Sequence, residues 1–240
     1  MKSLVVIAGA SSGFGKAMAK EFHDAGHPLL LLARHVEKLE ALGFSDTICQ
    51  KVDVTDQDTF QKAIRQAEEV YGKTDLLINN AGVMLLGNLE IQDPKEWQQM
   101  LDINVMGVMN GMQIVMEDMK KRQHGTIVNF SSLAGVKPFV NHAAYCASKY
   151  AVSGLSEVAR MELSANDVRV IRILPGAVNT NLLSHTTSNT IKDDYNAWLK
   201  ETGVGRITPE DVAKTVHFVY DMPQAVNIRE IQIADTKQDA

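Results

Sequence analysis

The sequence predicts an α/β protein with a doubly wound parallel sheet and helices on both faces, as a single domain over residues 1–240. Three observations predict it. Apolar runs of strand length alternate with longer segments of helical period from end to end. A glycine-rich turn separates the first such run from the first helical pattern. No Pro/Gly/Ser-rich linker, internal repeat or low-complexity tract interrupts the 240 residues, enough to bury a substantial core.

Leu4–Ala8 opens the chain as a strand buried on both faces, and Gly15–Ala25 follows as a helix that stops at Gly26 with Pro28 just beyond. Leu29–Ala33 is the second strand and Ile48–Val52 a weaker third candidate. Asp56–Tyr71 is helical and stops at Gly72; Leu76–Asn79 is again a buried strand. Glu96–Arg122 reads as one long methionine-rich helix, which suits core or subunit packing. Thr126–Phe130, the helix Ala144–Leu163, the strand Val168–Leu174 and a weaker strand Ile231–Ala234 complete the alternation. The stretch 183–206 is rich in Thr, Ser, Asn and Asp and shows no clear period, which predicts a lid or substrate loop.

Composition excludes several classes. A formal charge of −5 and no basic run argue against a nucleic-acid binder. No segment approaches the ~20 apolar residues of a membrane span. Lys2 with Leu4–Ala8 and Ala8-Gly9-Ala10 mimics a signal peptide, but the run is too short and suits a buried strand. Cys49 and Cys146 form no redox or ligand motif, which fits a soluble, unprocessed, cytoplasmic protein. His23 and His27 are four apart, yet Gly26-His27-Pro28 places His27 outside the helix, so no metal site is expected.

After the first strand comes Gly9-Ala10-Ser11-Ser12-Gly13-Phe14-Gly15, then a helix. Glycines there let the backbone turn and approach a pyrophosphate, whose charge the helix N-terminus stabilises. A rival reading takes residues 9–13 as a Gly-x-Ser-x-Gly nucleophile elbow with Ser11 as nucleophile and His185 or His217 as partner. Against it, only eight residues precede the turn, too few for an oxyanion segment, and Gly15 would have no role. Where a 2′-hydroxyl site carries Asp or Glu, this chain has Ala33-Arg34-His35. Arg34 can pair with a 2′-phosphate, which favours NADP(H) over NAD(H).

Tyr145 and Lys149 are four residues apart, so on a helix they share a face. A phenol beside a fixed ammonium is expected to fall from a pKa of about 10 toward neutrality, as a general acid/base for an alcohol or ketone requires. The spacing alone also fits two snorkelling surface side chains.

Together with Asp53-Val54, Asn79-Asn80-Ala81-Gly82, Asn104, Ser131-Ser132 and Pro175-Gly176-Ala177-Val178-Asn179-Thr180, these segments resemble the short-chain dehydrogenase/reductase superfamily, in order along nearly the whole chain. Asn227–Ile231 further resembles a bacterial NADP-dependent branch acting on 3-hydroxy acids or serine. The resemblance implies catalytic roles for four residues. Tyr145 becomes the proton donor or acceptor, Lys149 holds the cofactor ribose, Ser132 binds the substrate oxygen, and Asn104 positions a water linking Lys149 to bulk. It also implies cofactor contacts from Gly9, Ser11, Ser12, Gly13, Phe14 and Gly15. By the same resemblance Asp53 and Val54 would flank the adenine, Asn80, Ala81 and Gly82 would close over the adenosine side, Thr180 would contact the nicotinamide carboxamide, and Pro175, Gly176 and Val178 would be further cofactor contacts. The substrate is then a small or medium carbonyl or alcohol in a pocket drawing on Val83, Met84, Leu133, Phe139, Val140 and the 183–206 loop. Relatives pair through helices corresponding to Glu96–Arg122 and Ala144–Leu163, which implies a homotetramer or homodimer.

Overall fold

The computed structural model describes residues 2–178 and 180–238. Seven parallel strands form one sheet: β1 (Leu4–Ala8), β2 (Leu29–Ala33), β3 (Thr47–Lys51), β4 (Thr74–Asn79), β5 (Gly125–Phe130), β6 (Val168–Pro175) and β7 (Glu230–Ile233). Their order is β3-β2-β1-β4-β5-β6-β7. The order reverses between β1 and β4, and in such sheets a crevice opens beyond the carboxyl ends of the strands at that point.

Side chains of β1 alternate between two cores. Leu4, Val6 and Ala8 pack toward α3 (Gln57–Tyr71), α5 (Gly107–Arg122) and α6 (Ala143–Leu163). Val5 and Ile7 pack on the other face with α1 (Gly13–Asp24) and α8 (Pro209–Asp221). The leucines at 29–32 of β2 are wholly buried, each contributing about 2 kcal/mol by transfer from water. Short α2 (Val36–Glu40) follows β2. A third apolar cluster lies off the sheet, where Met84, Leu86 and Tyr145 meet Phe139, Leu183 and Tyr195.

Two expectations need correction. The long methionine-rich helix is not continuous: α4 (Pro94–Leu101) passes through a π-helical turn, Asp102–Met106, into α5. The widened turn carries Asn104, whose amide Nδ2 donates to the Val83 carbonyl at 2.9 Å and whose Oδ1 accepts from the Val83 N–H at 2.8 Å. The segment 183–206 is not irregular either. A 3₁₀ turn over Asn181–His185 leads to α7 (Asn189–Thr202), capped by Ser188 and closed by Gly203 in the left-handed conformation. Among the described residues no helix is long and apolar enough to cross a membrane.

Candidate active site

The glycine turn lies against the start of β4's loop. Gly9 has φ +82°, and a Cβ there would stand 2.7 Å from Ala81 Cα. A Cβ on Gly15 would lie 2.1 Å from the Gly9 carbonyl oxygen, so Gly15 packs beneath the turn and does not face the crevice. Asn80 Nδ2 donates to that same oxygen at 2.9 Å and holds the turn in place. Ser12, at the N-cap of α1, makes no side-chain cap bond, and the first turn holds no acidic residue. The leading N–H groups of α1 are therefore uncompensated where the turn meets the crevice.

At the far side Arg34 is exposed, and Val54 is buried. Asp53 Oδ1 accepts from the Thr55 N–H at 3.0 Å and the Thr55 hydroxyl at 2.8 Å, which shapes the strand-ending turn.

Helix α6 brings Tyr145 and Lys149 onto one face, both buried. Polar anchors fix this helix to the sheet. Ser131 Oγ donates to the Lys149 carbonyl at 2.9 Å and lies 2.9 Å from Ser153 Oγ. Asn129 Nδ2 donates to Ser156 Oγ at 2.9 Å. Lys149 Nζ donates to the Phe130 carbonyl at 2.8 Å and sits 5.8 Å from the centre of the Tyr145 ring. Ser132, two residues beyond β5, faces the crevice and caps a 3₁₀ turn through the Ala134 N–H at 3.1 Å.

The expected fall of the Tyr145 pKa is opposed in the protein alone. Burial pushes the phenol well above its usual value, and the neighbouring Ser132 hydroxyl offsets only part of this. Burial likewise pushes Lys149 down to about 8. Both groups are buried at one site, and burial disfavours the charged form of each.

One cavity of about 930 Å³ joins these parts. Gly9, Ser11, Ser12, Gly13 and Phe14 line it beside Arg34, Asp53 and Val54. Asn80, Ala81 and Gly82 form its middle, and Ser132, Tyr145, Lys149, Pro175, Gly176, Val178 and Thr180 its inner end. Val83, Met84, Leu133, Phe139 and Val140 also face it, as expected. Asn179 lies outside the described residues. Asn104 does not line the cavity. It is fully buried behind Gly82, and its remaining N–H donates to Ser148 Oγ at 3.0 Å, so both its donors brace α6 and the Val83 loop. Sequence reasoning missed Gln238, whose Oε1 accepts from the Ala177 N–H at 2.8 Å against the cavity; no motif marks it. It also missed Tyr195 and Trp198 as individuals, although their spacing with Ile191 and Leu199 is that of one helical face.

No histidine hydrogen-bonds Ser11 among the described residues; His217 lies 2.8 Å from Glu21 Oε1 on α1. Among the described residues Ser11 therefore has no base hydrogen-bonded to it, as a nucleophile elbow requires. The short chain dehydrogenase family model matches residues 3–190. The chain belongs to that family. This short-chain dehydrogenase is 37% identical to an uncharacterized oxidoreductase of Listeria monocytogenes, covering 98% of this chain and 97% of the other. It is 31% identical to serine 3-dehydrogenase of Rhizobium radiobacter, over 99% and 96% of the two chains. The closed form of a serine dehydrogenase complexed with NADP+ superposes with a TM-score of 0.91 at 28% identity, covering 99% of this chain and 96% of that one. The family is one of oxidoreductases, and this chain is an oxidoreductase of the family.

Proposed function

We propose that this short-chain dehydrogenase is an NADP(H)-dependent enzyme interconverting a small or medium carbonyl compound and its alcohol, with Tyr145 as general acid/base. The observation that carries the reading is the meeting, in one cavity, of the Tyr145 phenol and Ser132 hydroxyl with the glycine turn of α1.

The residues present fit a dinucleotide. Side-chain-free Gly9 and Gly13 border the cavity, and the uncapped N–H groups of α1 suit a pyrophosphate. Arg34 and Lys38 line the end reached from β2, the chemistry of a site for a 2′-phosphate. The NADP+ complex of the similar serine dehydrogenase supports the same preference. When bound, the reduced nicotinamide supplies a hydride to the carbonyl carbon and is left oxidised.

The chain's own residues do the rest. As the carbonyl π bond breaks, negative charge grows on oxygen, and in this reading the hydroxyls of Ser132 and Tyr145 donate to it. Tyr145 then gives up its proton, so the product gains one C–H and one O–H bond. Burial keeps the phenol protonated at neutral pH, the form that reduction requires. In this reading Lys149 holds the ribose and stabilises the phenolate left on Tyr145. Asn104 fixes Lys149's helix relative to the loop at Gly82, and in this reading it positions a water that links Lys149 to bulk.

We further propose a cytoplasmic homotetramer or homodimer. Met106 just before α5 and Met109 on it, with Val158 and Met161 on α6, are large apolar side chains left exposed on the helices expected to pair. Sedimentation should give a mass above one chain, and a monomer contradicts the pairing.

The decisive screen is NADPH oxidation across ketones, diketones, aldehydes and keto acids, with the reverse assay on hydroxy acids including serine. Turnover abolished by Tyr145→Phe supports the reading. NADPH binding without turnover on any carbonyl would instead make the chain a cofactor sensor.

A further inference from the structure

The cavity extends past Tyr145 into a region built from rings. The His142 ring centre is 6.2 Å from that of Tyr145, 6.4 Å from Tyr195 and 5.7 Å from Phe139. Tyr195 in turn lies 5.5 Å from Trp198. Tyr195 and Trp198 belong to α7, and with Ile191 and Leu199 they occupy positions i, i+4, i+7 and i+8 on one face. All four line the cavity, and no residue of α7 is buried. An amphipathic helix normally buries such a face in a core. Here the face looks into open volume beside the proposed proton donor.

Charge is distributed unevenly around this volume. Of the Lys and Arg residues that line it among the described residues, Arg34 and Lys38 follow β2, while Lys149 is engaged with the Phe130 carbonyl. β2 and β5 are separated by three strand steps, about 14 Å, so Arg34 cannot reach a group bound beside Ser132. Among the described residues, His35 and Asp53 line the cavity at the Arg34 end, and burial, with the charge of Arg34, pushes His185 below its usual pKa. Beside the rings stand Asp194, an exposed acid at the rim, and His142. His142 Nδ1 lies 2.7 Å from the Val140 carbonyl, which can only accept. Nδ1 therefore carries the proton and Nε2 is left as an acceptor. Burial also pushes His142 below its usual pKa, away from the cationic form.

We infer that the outer part of the cavity selects an uncharged carbonyl compound with an aromatic or comparably bulky apolar group, and rejects substrates that carry a carboxylate there. The inference rests on the oxidoreductase reading above. It separates this chain from its serine-named relative, because a carboxylate entering the ring-lined region would lose water without gaining a cation. An apolar group gains the α7 face and the rings of Phe139 and His142. His142 Nε2 offers one acceptor, for a hydroxyl or amide N–H on the ligand.

The test compares substrates that differ in one property. Ethyl benzoylacetate, its free acid benzoylacetate, and ethyl acetoacetate share one ketone but differ in charge or ring. With NADPH and the intact protein, kcat/KM for ethyl benzoylacetate should exceed that of each of the others at least tenfold. Calorimetry on protein saturated with NADP+, which cannot reduce a ketone, should show the same order of affinity. Tyr195→Ala should raise KM for the aryl ester by about three- to tenfold more than it raises KM for ethyl acetoacetate. Equal or better use of the free acid, with turnover still dependent on Tyr145, overturns the inference and leaves the oxidoreductase reading standing. No turnover of any carbonyl removes both.

Discussion

Lys149 Nζ stands 5.8 Å from the centre of the Tyr145 ring, and its hydrogen bond runs to the Phe130 carbonyl at 2.8 Å. The sheet thus holds the ammonium close to the phenol without pairing the two directly. In the protein alone, burial dominates both groups: Tyr145 is pushed up and Lys149 down to about 8.

The Lys149 shift makes a prediction about stability. Its folded pKa of about 8 lies below the ordinary 10.5. Below pH 8 the lysine is charged in both states, so the folded protein bears the full cost of burying it, roughly 3 kcal/mol. Between the two values the unfolded chain binds the extra proton, and this contribution to stability rises with pH. Lys149→Met removes the buried charge and leaves the Phe130 carbonyl short of a partner, a loss of about 1 kcal/mol. Urea unfolding of the cofactor-free protein should therefore favour the variant over wild type more at pH 7 than at pH 10.5. A difference that does not change with pH contradicts the shift.

Arg34 is exposed and makes no hydrogen bond among the described residues, so its side chain is available to a 2′-phosphate. Arg34→Asp should move preference from NADP(H) toward NAD(H), by roughly tenfold or more in the ratio of KM values. Steady-state kinetics with both cofactors give that ratio, and an unchanged one removes the basis for the preference.

Gly15 supports the turn from beneath. A Cβ there would press on the Gly9 carbonyl, 2.1 Å away, and on Asn80 Nδ2, 2.7 Å away. Gly15→Ala should displace the turn, weaken NADPH binding by at least tenfold and lower stability by about 1–3 kcal/mol. Fluorescence titration and thermal melting measure the two effects; normal cofactor affinity would show that the turn tolerates the displacement.

The parts of the fold that the sequence reveals are those governed by local chemistry. β1, β2, β4, β5 and β6 are buried along almost their whole length, so they read as continuous apolar runs. The edge strands β3 and β7 are half-buried, and their expected limits were each off by one residue or so. The break at Asp102–Met106 is not local. It depends on Asn104 reaching Val83, 21 positions earlier in the chain, and the backbone on either side keeps helical dihedrals. Helix α8 was missed although Thr208-Pro209-Glu210-Asp211 holds a complete capping box with proline in the first turn. Within the site, motif positions were legible because glycine, tyrosine and lysine at fixed spacing carry their chemistry with them. The balance between Tyr145 and Lys149 was not, because desolvation depends on what other segments cover.

The central claim is that Tyr145 exchanges the proton with substrate oxygen. Its most direct test is Tyr145→Phe, which removes only the hydroxyl and keeps the ring against His142. NADPH affinity by fluorescence titration should match wild type, while kcat with ethyl benzoylacetate falls by about 10²–10⁴-fold. Near-normal turnover with cofactor bound would contradict the account.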